Sequence, residues 1–389
     1  MNLTRNSKEI ENHVAMEILN DIPIILLSRN DSMGEWFVLG SIISYLAVFV
    51  NVFTFCVLCQ KRFMSPATIL LQGLALADGL TALFTFGFEP FFLNQLKDIS
   101  NVMNPFNGTY VTLMSPYCDM YVYVVQLSCD CFHYMSILLT TCIGVQKVIA
   151  LQFPLWTRTS LTIKKMLVCC FVCFIIPIAI NFPVLIAHSF KNGKFENVDI
   201  CLMSNNDNHL ESYVHKYQPV LTSVLLIFLC LLMMTASVYI TYKMCTNKFR
   251  KRLARNEKKS IVMVFILLLI FLISEVPRIV GNITYILVFR EIELTLDELE
   301  FQDFTSATQQ DKKFFSFLFA ILRNRESLEI TDHDLNTARI FFETIKLLTV
   351  VACLSNIFIY IIMSQKLRLN LKGMFIKTKR NTFRKIYNK

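Results

Sequence analysis

Charge is sparse in this chain. Only 17% of its 389 residues are Asp, Glu, Lys or Arg, where a soluble domain carries about 25%, so an ordinary water-soluble domain is excluded. No segment reads as a cleavable leader either: the early apolar run IPIILL is short and has no basic lead-in. The first spanning segment is therefore expected to act as its own insertion signal. The 13 cysteines show no zinc or redox spacing. No internal repeat or pair of broken helices suggests a transporter. An intramembrane enzyme would need a nucleophile–base or metal constellation. Only Asp130 with His133 comes close, and that segment holds no second histidine.

Apolar length is what the chain has in abundance. Hydrophobic residues make up 54%, Phe alone contributes 34, and the mean hydropathy is +0.50. Runs long enough to cross a bilayer recur at about 36–59, 66–92, 119–145, 165–188, 217–241, 260–289 and 340–363. The expected fold is all-α, a seven-transmembrane helix bundle over 35–363. An outer arm, 1–34, precedes it and a basic tail, 364–389, follows. Of the 38 Lys and Arg, 23 fall in connections on one side of the bundle, where Glu257 is the only acid. The positive-inside rule puts that side in the cytosol and the amino terminus outside, in the plasma membrane. The net charge of +9 is thus a matter of topology and membrane lipid, and nucleic acid is not an expected partner. The sequons at Asn2, Asn30 and Asn107 all fall on the outer side. A fourth, at Asn282, lies inside a predicted helix.

The third run organises the rest. From Cys118 to Lys147 there are 29 residues, about 43 Å as a continuous α-helix. Its polar residues, Gln126, Asp130, His133, Thr140 and Gly144, recur at steps of four, three, seven and four, which makes one stripe. In lipid such a stripe must face other helices or a wet cavity. Other polar groups fall in the outer halves of their spans: Glu275 and Arg278 in the sixth, and Arg339, Glu343 and Lys346 in the seventh. With Gln126, Asp130 and His133 they form the candidate ligand site. They could instead satisfy one another, since Arg339 and Glu343 are four apart and Glu343 and Lys346 three apart. His133 reads as a packed, hydrogen-bonded core residue, and Arg278, Arg339 and Lys346 could snorkel outward. Asn51 and Asp78, buried in the first two spans, require partners on neighbouring helices. Ten cysteines lie in apolar runs as small hydrophobes. Cys118 and Cys201 face the oxidising side and are paired here.

These residues carry a resemblance. Leu74-Ala-Leu-Ala-Asp78 resembles the second-helix LxxxD motif of rhodopsin-like G-protein-coupled receptors, and Asn51 stands at their first-helix asparagine. Asn356-Ile-Phe-Ile-Tyr360 resembles NPxxY with Ile357 for the proline, and Gln146-Lys147-Val148 occupies the Asp-Arg-Tyr position. Within that superfamily the chain is most similar to the invertebrate sex-peptide, myoinhibitory-peptide and myosuppressin receptors. FMRFamide receptors and nematode class-W serpentine receptors are close to the same group. The 29-residue separation of Cys118 from Lys147, His133, the Lys216-x-x-Pro219 start and the Phe271-Leu-Ile-Ser-Glu275-Val-Pro277 run carry that likeness. Lys147 in place of Arg is a departure, because lysine lacks the planar fork of a guanidinium.

The resemblance implies a receptor and not an enzyme, with no cofactor. An agonist would move the sixth helix about Pro277 and open a cytoplasmic cleft for a heterotrimeric G protein. Asn51, Asp78, Gln146, Lys147, Asn356 and Tyr360 would be the conformational switch, with a sodium ion as a candidate occupant near Asp78. A light-sensing opsin is excluded, because the Schiff-base lysine position is Val350. The third outer connection, 290–338, is long, and residues 290–337 hold eleven acids against five bases. Such a vestibule would concentrate a cationic peptide, unless it is only a solvated insertion. An amidated neuropeptide is the expected ligand; a small odorant-like molecule is the alternative.

Overall fold

The computed structural model describes residues 27–28, 32–61, 64–98, 110–113, 117–195, 198–205, 217–246, 255–300, 340–341 and 343–355. Among them, six helices are long and apolar enough to cross a membrane: Phe37–Leu58, Pro66–Phe92, Tyr123–Gln152, Ile163–Val184, Gln218–Cys245 and Ile261–Ile283. The seventh apolar run is helical at 340–341 and 343–355, and its expected remainder lies outside the described residues. Polarity is inverted relative to a soluble protein. Phe49, Phe171, Val238 and Ile273 point outward, while Asn51, Asp78, His133, Thr140 and Glu275 are buried. That is the distribution a hydrocarbon solvent selects.

Two helices depart from regular α geometry. The third was expected to be one continuous α-helix from Cys118. It instead runs α over Tyr117–Tyr121, widens into a π turn at Val122–Leu127, and returns to α over Ser128–Gln152. A π turn shifts the phase of everything before it, so the regular spacing of the expected stripe holds only from Ser128 onward. The second helix has its own π turn at Leu83–Gly87, just before Glu89 and Pro90. Pro90 has no N–H for the carbonyl four residues back. The first helix supplies donors there: Ser41 Oγ donates to Phe86 O at 3.1 Å, Tyr45 to Gly87 O at 2.6 Å, and Ser44 to Ala82 O.

The third span lies at the centre and packs on the second, fourth, fifth and sixth. Leu74, Met135, Leu139, Met233, Leu267 and Phe271 fill that core. Phe37, Ala47, Ala82, Phe86 and Val350 join the first, second and seventh helices. Lipid is as apolar as these side chains, so close packing rather than exclusion of water holds the helices together. Gly40 permits one such approach: a Cβ there would sit 2.7 Å from the Phe86 ring.

The sixth helix continues past the membrane-crossing length, from Arg255 to Glu300. The first eleven residues of the expected 290–338 loop are therefore helical, and the rest of that loop up to its end lies outside the described residues. One end of the bundle also carries short strands that the helical expectation did not include. The strands β1 (Leu27–Ser28), β2 (Leu96–Asp98) and β3 (Tyr110–Leu113) form an antiparallel sheet in the order β1-β3-β2, and β4 (His188–Phe195) pairs with β5 (Val198–Asn205) as a hairpin. β3 touches β5, and the Tyr117–Tyr121 turn touches β4. This ribbon end is the outer end of the sequence reading.

Candidate functional site

Below the ribbons, polar side chains from three helices form a chain. His133 Nε2 meets Glu275 Oε2 at 3.1 Å. Glu275 lies 3.8 Å from Arg278 Nε, one helical turn on. Arg278 Nη1 is 3.9 Å from Asp130 Oδ1, and its Nη2 donates to Thr349 Oγ1 at 3.1 Å. The third, sixth and seventh helices are thus tied through one guanidinium. The spacing explains the geometry: Asp130 and His133, and Glu275 and Arg278, are each three apart and share a helix face. His133 and Glu275 are buried; the Asp130 side chain is 51% exposed. A cavity of about 180 Å³ opens beside it, lined by Asp130, Tyr134, Gln218, Pro219, Thr222, Arg278 and Asn282. Gln218 also donates to Asn181 Oδ1 at 3.1 Å and so links the fifth helix to the fourth.

A second charged cluster lies toward the first and second helices. Lys346 Nζ donates to Glu343 Oε1 at 2.9 Å. Glu89, delivered by the π turn before Pro90, is hydrogen-bonded to Tyr121 and feels the charge of Lys346. One oxygen of each acid, Glu89 Oε1 and Glu343 Oε2, is buried without a hydrogen-bond partner. Glu89 and Tyr121 were not singled out from the sequence. The available signal was that Glu89 is the only acid of the second run besides Asp78. Tyr134, Gln218, Thr222, Asn282 and Thr349 were missed for another reason: an uncharged polar group costs little in a span and does not stand out as a site residue.

Deeper, the polar core joins four helices. Asp78 accepts from Ser136 Oγ of the third helix and is hydrogen-bonded to Cys353 of the seventh. Asn51 Nδ2 donates to Ala47 O at 3.0 Å and Cys353 O at 3.2 Å, and its Oδ1 is buried and unpartnered. The Asp78 carboxylate, the Ser136 hydroxyl and that Asn51 oxygen are the hard donors a sodium ion takes. At the far end Gln146 keeps a buried Oε1 without a partner, Lys147 is half-buried, and Tyr239 of the fifth helix donates to Gln152. Pro277 lies inside the sixth helix.

Several expected residues cannot be placed. Arg339, Asn356, Tyr360, Asn2, Asn30 and Asn107 lie outside the described residues, as does the side chain of Gln126. The side chains of Cys118 and Cys201 do as well, although their backbones sit in the Tyr117–Tyr121 turn and in β5, next to the β4 strand that the turn touches.

Against known families, the profile of the 7 transmembrane receptor (rhodopsin family) matches residues 50–324. No curated protein gives a significant match. The matched region covers most of the chain and takes in the polar core around Asp78 and the chain of charges from His133 to Arg278. With six apolar crossings, a helical seventh run and that buried polar core, the chain belongs to the rhodopsin family of G-protein-coupled seven-transmembrane receptors.

Proposed function

We propose that this receptor, with its ribbon end outside the plasma membrane, is activated by an amidated, positively charged neuropeptide. The observation that carries the reading is Asp130. Its carboxylate stands half-exposed in the cavity, 3.9 Å from an arginine that is otherwise committed to Glu275 and Thr349. A ligand cation that takes Asp130 removes one of the guanidinium's two carboxylate neighbours. The balance of contacts between the third, sixth and seventh helices then changes. The response is a population shift, limited by how much better the agonist binds the open state than the closed one. The sixth helix would swing about Pro277 and admit a heterotrimeric G protein beside Gln146 and Lys147. A sodium ion held by Asp78 would favour the closed arrangement. Cys118 and Cys201 would be bonded across the ribbon end, consistent with the contact between the Tyr117 turn and β4. The acid-rich 290–337 stretch would gather cationic peptides.

The cavity's small volume favours a second reading, a small odorant-like ligand. An apolar odorant, however, would desolvate Asp130 and Arg278 without replacing their hydrogen bonds, which is costly. A peptide end, with its amide donors and acceptors, satisfies them and leaves the rest of the peptide on the ribbons. Cells expressing the chain should therefore give calcium or cAMP responses to a panel of amidated invertebrate neuropeptides and none to volatile or amine panels. The reverse pattern would overturn the peptide assignment.

A further inference from the structure

Three thiols converge between the third and fourth helices, away from the polar core and the cavity. Cys142 Sγ lies 3.8 Å from Cys173 Sγ and 3.7 Å from Cys169 Sγ, and all three sulfurs are within 4.8 Å of one another. Cys169 and Cys173 are four apart, so one face of the fourth helix presents both to Cys142. A metal–thiolate bond of about 2.3 Å places sulfurs about 3.8 Å apart in a tetrahedron and about 4.0 Å apart in a trigonal plane. Cys142 already stands at that spacing from each of the other two thiols, so an ion could enter with little movement of either helix.

We propose that Cys142, Cys169 and Cys173 form a site for one soft monovalent metal ion, Cu(I). The donor set selects it. Among the described residues no His, Asp or Glu joins the group, so Zn(II) would lack the fourth ligand it ordinarily takes, whereas thiolates alone suit Cu(I). Charge points the same way. One Cu(I) entering as one thiol proton leaves for cytosolic water keeps the site's net charge unchanged, which a low-dielectric span requires. A divalent ion would need two thiolates. The place fits as well. The fourth helix begins at Ile163, which puts Cys169 about 9 Å and Cys173 about 15 Å along it. In the orientation proposed above this is the cytosolic leaflet, where thiols stay reduced. Cys142 and Cys169 are only half-buried, so the bundle does not seal the sulfurs off. Cys142 lies one turn before Gln146, so the ion would brace the helix that carries Gln146 and Lys147.

The test uses the full chain in lipid nanodiscs without oxygen, titrated with Cu(I) held by a chromophoric chelator. The receptor should withdraw one Cu(I) and develop a near-ultraviolet thiolate-to-copper band. Cys142→Ser and Cys173→Ser should each weaken withdrawal at least tenfold. Cys56→Ser and Cys245→Ser, which change exposed cysteines elsewhere, should leave it unchanged. Cys169→Ala, at the half-buried position, guards against loss of fold and should also bind at least tenfold more weakly while keeping the wild-type helical circular dichroism. Cu(I) should raise the unfolding midpoint of the wild type and not of the three cluster variants. A wild type that withdraws no Cu(I), cluster variants that bind as tightly as it does, or a preference for Zn(II) would overturn the assignment.

Discussion

Asp130 and Glu275 are both carboxylates beside Arg278, yet their surroundings give them different work. Glu275 is buried between His133 and Arg278, so truncating it strands two polar partners. Breaking a buried pair in this way costs about 3–5 kcal/mol. Glu275→Ala should therefore lower the thermal unfolding midpoint of the receptor in nanodiscs clearly, and Glu275→Gln, which still accepts from His133, by much less. Equal midpoints for Glu275→Ala and wild type would show that the pair is not holding the helices. Asp130 faces the cavity, so its loss should appear in ligand potency instead. Asp130→Asn should weaken the response to an active amidated peptide about tenfold, about 1.4 kcal/mol, at normal surface expression. Unchanged potency would remove Asp130 from the pocket. The residues legible in the sequence were those that lipid makes conspicuous: Asp130, His133, Glu275 and Arg278 are expensive in hydrocarbon and declare themselves. Their pairing was not legible, because the sequence does not say which helix faces which. Thr349, and the place of Asn282 in the cavity, were missed for lack of charge.

At the scale of the element, the helices themselves could be read because a bilayer demands long apolar runs, and those runs fix the crossings to within a few residues. The π turns could not. Nothing in VYVVQL or LFTFG distinguishes a wide turn from an α turn, yet these turns set the phase of Tyr121 and Glu89 and so bring them together. The second helix shows how such a defect is tolerated. Hydroxyls of Ser41, Ser44 and Tyr45 take the carbonyls around it, while Gly40 lets the Phe86 ring lie against the first helix. Gly40→Ala would push a Cβ into that ring, and overpacking of this kind costs about 1–3 kcal/mol. The expected outcome is a lower unfolding midpoint that Phe86→Leu in the same chain partly restores. A Gly40→Ala receptor as stable as wild type would mean that the two helices are not in contact there.

For the whole molecule, the distribution of basic residues is the ground for the proposed orientation, and it makes a separate prediction. Asn107 lies between β2 and β3 in sequence and should carry glycan when the receptor is expressed in animal cells. Asn107→Gln should abolish the corresponding glycosidase-sensitive mass shift, whereas a wild type without that shift would leave the ribbon end unassigned to the outside. The central claim is that a charge contact between the third and sixth helices, reached from outside, governs what happens inside. Charge exchange tests it most directly, by measuring G-protein activation evoked by an active amidated peptide in Asp130→Arg, in Arg278→Asp and in the double exchange. The account predicts that each single reversal lowers activation at least tenfold and that the double variant recovers most of it. Single reversals that signal like the wild type, or a double variant no better than either, would contradict it.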